Sequence, residues 1–182
     1  MKIQNNPQIS PNFGMAMILE KGSRKAIEEG GMVLVERLKK AGEIVKDTKI
    51  AHLHIGEGAI PTIKTPFANK YSEYFYAQEP DKFTPEFLHV KTIWTGTELS
   101  ENLKPGKEYT ACIKMENAEA AKKAYNEIKN ARSEIERGAI LTRILDNKYE
   151  QEALADAKKI EEKAQIRQEV NNLFEQFGEK QD

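Results

Sequence analysis

The chain has few of the residues that would cross-link it or anchor it in a bilayer. A single cysteine, Cys112, among 182 residues excludes an intramolecular disulfide and any cysteine-rich zinc site. No apolar run approaches the length of a membrane span. Residues 1–11 are polar, are interrupted by Pro7 and Pro11 and carry no apolar stretch of the kind a signal peptide needs. The expected location is cytoplasmic, with no membrane partner. A net charge of -1 leaves no general positive surface to neutralise phosphates, so nucleic acid is not an expected partner. There is no Gly-x-Ser-x-Gly, which sets serine-hydrolase chemistry aside. Gly56-Glu57-Gly58 lacks both the spacing of a dinucleotide loop and the Lys-Ser/Thr pair of a triphosphate loop, and reads as a plain turn.

What the chain does have is charge of both signs and helix-forming residues. Charged residues make up 31% and hydrophobic residues 39%, enough for one core but not for a second complete domain. From residue 117 to 177 the composition turns to Ala, Glu, Lys, Gln, Arg and Ile, with no proline and one interior glycine, Gly138. Such residues lose little side-chain freedom in a helix. Asn117 is placed to cap the start, with Glu119 in the first turn where the helix dipole favours an anion. Glycine costs about 1 kcal/mol inside a helix, so the spacing predicts a break at Arg137-Gly138 or a close contact there. A second stripe then follows through Leu141, Leu145, Tyr149, Ala153, Ala157, Ile160 and Ala164. A last cluster gathers at Val170, Leu173, Phe174 and Phe177, and Gly178 is a natural stop.

Upstream, residues 1–11 read as a loose leader and residues 12–20 as a central strand, apolar on both faces. A helix is expected over 23–46, capped at Gly22-Ser23 and weakened by Gly30-Gly31; residues 32–35 as a short strand are the alternative. Residues 49–55 read as a strand with Ala51, Leu53 and Ile55 inward and Ile50, His52 and His54 outward. Further strands are expected over 71–77, 87–95 and 109–115, with a helical turn at Thr84-Pro85-Glu86 and a tight turn at Pro105-Gly106. The class is α+β: a mostly antiparallel sheet covered by the N-terminal helix, then a long C-terminal helical segment. The domain organisation expected is a leader over 1–11, an α+β domain over 12–137, and a helix over 138–178 that packs on the domain or serves as an arm.

Three functions fit this pattern. The leading expectation is a non-catalytic interaction or adaptor protein, because the helical segment is longer than its thin alanine seam can bury. Its partner is another protein or a second copy, bound through the stripe from Leu141 to Ala164, and no cofactor is expected. The second is a metal-dependent hydrolase or lyase centred on His52 and His54, whose spacing puts both on one strand face, with Glu57 nearby as ligand or base for a divalent metal. His89 and Glu73 would have to complete such a set. The third is a domain for a small apolar ligand, lined by the aromatics between Phe67 and Trp94. Cys112, on a strand with Lys114 beside it, reads as structural.

Overall fold

The structure, a computed structural model, describes residues 16–65, 75–95, 100 and 104–178. In order these residues form β1 (Met17–Leu19), α1 (Ser23–Val45), β2 (His52–Ile55), β3 (Pro61–Lys64), β4 (Tyr76–Gln78), β5 (Phe87–Ile93), β6 (Glu108–Lys114), α2 (Ala118–Asn130) and α3 (Glu134–Phe177). The fold is α+β with two small sheets, mostly antiparallel. Among the described residues the strands form two three-stranded sheets, ordered β1-β2-β3 and β4-β5-β6. The chain divides by its own contacts into two units, Met1–Asp146 and Asn147–Asp182. The fold described in the rest of this section belongs to the first.

In the first sheet β1 runs parallel to β2, with Met17 opposite Leu53, and β2 runs antiparallel to β3, with His52 opposite Lys64. Among the described residues β2 is the strand with neighbours on both sides and β1 pairs with β2, so the central position expected for 12–20 belongs there to β2. The apolar faces of β1 have another cause: Met17 packs on the core, and Met17 and Leu19 line a groove against α1. In β2 the alternation holds, with Ala51, Leu53 and Ile55 fully buried and Ile50, His52 and His54 half-buried.

Helix α1 forms where expected, with Gly22 as its N-cap residue and no side-chain cap hydrogen bond. The Ser23 hydroxyl, itself buried, donates to the Glu20 carbonyl at 2.7 Å instead of accepting from the helix. Gly31 interrupts the helix with φ 61 and ψ -157, a conformation that only glycine adopts without strain. Residues 32–35 remain helical, so the short-strand alternative is not taken. Past the break, Leu38, Ala41 and Val45 recur at three- and four-residue steps and enter the core.

In the second sheet β5 lies between β4 and β6, both antiparallel to it, with His89 opposite Gln78 on one side and Cys112 on the other. Leu88, Val90 and Thr92 face inward and are buried. The helical turn expected at Thr84-Pro85-Glu86 is a hydrogen-bonded turn, closed by Phe87 N–H donating to Thr84 O at 3.1 Å. Trp94 and Phe75, both fully buried, are interior. The part of the predicted strand over 71–74, together with Phe67, Tyr71, Glu73 and Tyr74, lies outside the described residues.

The helical third breaks six residues earlier than its glycine suggested. Asn117 caps α2 as expected, its Oδ1 accepting from Ala120 N–H at 2.8 Å. The chain then leaves the helix at residues 131–133, and α3 restarts at Glu134. The Ser133 hydroxyl accepts from Glu136 N–H at 3.2 Å, while the Glu136 carboxylate accepts from Arg132 N–H at 3.1 Å. This is a capping box shifted by one residue on its return bond. Gly138 sits inside α3 instead of ending a helix. A Cβ there would stand 3.0 Å from Phe75, 3.2 Å from Leu53 and 3.4 Å from Pro61, so the glycine lets α3 approach the first sheet and the entry to β4. The close contact is the correct half of the expectation.

The first three turns of α3 place Ile135, Ala139, Ile140, Leu141 and Ile144 in one apolar cluster with residues of α1, α2 and both sheets. Polar contacts fix its position. Asp146, only 3% exposed, accepts through Oδ1 from the backbone N–H groups of Lys49, Ile50 and Ala51 at 3.0, 2.5 and 2.8 Å. Those three donors lie just before β2, so one carboxylate at the end of the buried part of α3 holds the entry to the central strand. Ion pairs Lys40–Glu136 and Arg143–Glu127 add links to α1 and α2.

Candidate functional site

The second unit is helical over residues 147–177, and its side chains carry the largest set of exposed apolar groups among the described residues. Every residue from 151 to 178 is exposed. Of the exposed large hydrophobics, seven lie here: Leu154, Ile160, Ile166, Val170, Leu173, Phe174 and Phe177. At 100° per residue, Ile166, Val170, Leu173, Phe174 and Phe177 share an arc of about 100°. Ala153, Ala157, Ile160 and Ala164 share another, centred roughly 120° away around the axis. The stripe and the last cluster read from the sequence thus lie on different faces of the helix, and the downstream one is much the more apolar.

The residues expected to bind a partner divide accordingly. Leu141 is 3% exposed and Leu145 packs against the core, so both belong to the interior of the first unit. Tyr149 is half-buried, while Ala153, Ala157, Ile160 and Ala164 are exposed. Sequence reasoning noticed Val170, Leu173, Phe174 and Phe177 but assigned them no role. Their three- and four-residue spacing next to a polar opposite face was the available signal.

His52 and His54 lie on the half-buried face of β2, as the alternation predicted. His54 has a specific neighbour, since its Nδ1 is 3.2 Å from Glu20 Oε1. Glu20 is brought there by the end of β1, where its N–H donates to Ile55 O at 3.0 Å. Glu57 stands exposed in a single 3-10 turn, Glu57–Ala59, closed by Ala59 N–H donating to Gly56 O at 3.1 Å. His89 belongs to the other sheet, where its Nδ1 is 3.3 Å from Cys112 Sγ across the β5–β6 pair. Among the described residues no group of three or more His, Cys, Asp or Glu side chains is arranged to hold a metal ion. Glu73 lies outside them.

The Cys112–His89 contact was missed from sequence, because two residues 23 apart meet only through strand register. Cys112 is exposed and half of a pair, not an isolated strand residue.

One groove lies between helix and sheet, of about 590 Å³, lined by Met17, Leu19, Ile27, Val35, Leu38 and Gly42, with Lys39, Lys40 and Glu43 also at its wall. It uses none of the aromatics that the sequence offered for a ligand site. Among the described residues no helix is long and apolar enough to cross a membrane. The chain matches no known protein family, no curated protein and no solved structure.

Proposed function

We propose that the protein is a non-catalytic interaction module whose working surface is the downstream part of α3. One observation carries this reading: a helix exposed at every residue from 151 to 177 displays seven large apolar side chains. Leaving that much apolar surface in water is costly, at about 25 cal/mol per Å², and contiguous apolar patches on otherwise polar elements commonly mark association sites. The stripe has the form of a helix-in-groove or helix-on-helix ligand, read at positions i, i+4, i+7 and i+11 by Ile166, Val170, Leu173 and Phe177.

A chain ending at Glu150 tests this, because it keeps Asp146 and all of the first unit's core. The expected outcome is a folded domain, with unchanged near-ultraviolet circular dichroism, that no longer associates with what the full chain binds. Undiminished association by the shortened chain would sink the reading.

A second reading is favoured by the groove beside β1, whose apolar walls suit a small apolar ligand. Gly42 faces its open space, where among the described residues a Cβ would meet Met17 at 3.4 Å. In the chain ending at Glu150, Gly42→Leu should fill the groove and abolish binding of an environment-sensitive naphthalene dye. Equal dye binding by the two chains would dismiss the ligand.

A further inference from the structure

We propose that the downstream stripe of α3 pairs with the same stripe of a second copy of this chain, as a short parallel two-stranded coiled coil. The inference rests on the interaction reading above and names its partner.

With Ile166 at heptad position d, Lys163, Val170 and Phe177 fall at a, Leu173 at d, Glu162 and Glu169 at g, and Arg167 at e. The steps from Lys163 to Phe177 alternate three and four without a fault, and all of these residues are exposed helix. The seam ends upstream, where Asp156 and Lys159 occupy the preceding a and d positions. It is two heptads long, so the dimer is reversible and concentration-dependent, not permanent.

The residues at the seam select the number of strands. A β-branched residue at a with leucine at d, here Val170 and Leu173, favours two strands. Lys163 at a fits the same choice, because in a dimer its stem can lie along the seam while the ammonium reaches water.

The flanking charges select the orientation. In a parallel pair the g residue of one helix meets the e residue five positions on in the other. That sets Glu162 of each copy against Arg167 of the second, opposite charges on both sides of the symmetry axis. Antiparallel pairing sets e against e and g against g, which puts Arg167 opposite Phe174 and removes the Glu162–Arg167 pairing. Among the described residues neither Glu162 nor Arg167 is engaged in an ion pair within its own chain.

The test is sedimentation equilibrium of the full chain from low micromolar to near-millimolar concentration. The expected result is a mass rising toward that of a dimer. Leu173→Glu should raise the dissociation constant by roughly tenfold or more, with an unchanged fold because Leu173 is exposed in the single chain. Glu162→Arg and Arg167→Glu should each weaken the dimer, and the double charge swap should restore it, an outcome that a merely structural role for either residue does not give. For orientation, Ile166→Cys in a Cys112→Ser chain should form a disulfide-linked dimer under mild oxidation, while Gln168→Cys, on the opposite face, should not.

A chain that stays monomeric throughout overturns the proposal, and so does a dimer indifferent to Leu173→Glu. A dimer in which Ile166→Cys cross-links only to a Phe177→Cys chain is antiparallel and also overturns it. If the full chain is monomeric yet holds another protein that the chain ending at Glu150 loses, the second copy is excluded and the interaction reading survives.

Discussion

Single side chains set the strongest local constraints. Asp146 is the clearest, because one buried oxygen accepts from three consecutive N–H groups that precede β2. Hydrogen bonds to a charged acceptor are worth more than neutral ones, and buried donors left without a partner are costly. Asp146→Ala should therefore lower stability by about 3 kcal/mol, read as a fall in the urea midpoint with an unchanged slope. A loss under about 0.5 kcal/mol would mean that water replaces the carboxylate without penalty. The role was not legible in the sequence. Asp146 reads there as the first charged residue of a polar helix, and its partners lie 95 to 97 positions away.

At the scale of elements, the start of α3 joins local chemistry to tertiary contact. Burial raises the Glu136 pKa, but the Lys40 hydrogen bond and charge, with the Arg132 backbone N–H and charge, outweigh it and hold the carboxyl below its ordinary value. A carboxylate whose folded pKa is depressed adds stability that is present above its unfolded pKa. That stability is lost as pH falls through the folded one. The stability gap between the protein and Glu136→Gln should therefore be widest near neutrality and close as pH falls through and below the ordinary carboxylate range. Urea titrations of both chains across that range check it, and a gap constant with pH would refute it. Ser133-x-x-Glu136 was itself readable as a helix start. Gly138 attracted the break instead, because glycine weakens helices in general. Here packing overrode propensity, since a Cβ at this position would crowd Phe75 and Leu53 at 3.0 and 3.2 Å.

Over the whole molecule, the division after Asp146 separates two ways of being a helix. Upstream, Ile135, Ala139, Ile140, Leu141 and Ile144 lie in the common core; downstream, no described residue past 150 is buried. The chain ending at Glu150 should consequently melt at nearly the temperature of the full chain when the latter is dilute. A large drop would show that residues 151–178 take part in the core. The sequence by itself determined the α+β class, the alternation of β2 and β6, the Asn117 cap and the amphipathic periodicity of the helices. Each of these depends on interactions within a few residues, on the period of side-chain direction or on the chemistry of one cap. Only the tertiary structure decided that the strands form two sheets, that Gly138 is a contact and not a stop, and that Leu141 is core while Leu173 is surface. It also decided that Asp146 serves β2 and that His89 meets Cys112. Those outcomes depend on pairing between residues far apart in the chain, which hydrophobic pattern constrains but does not specify.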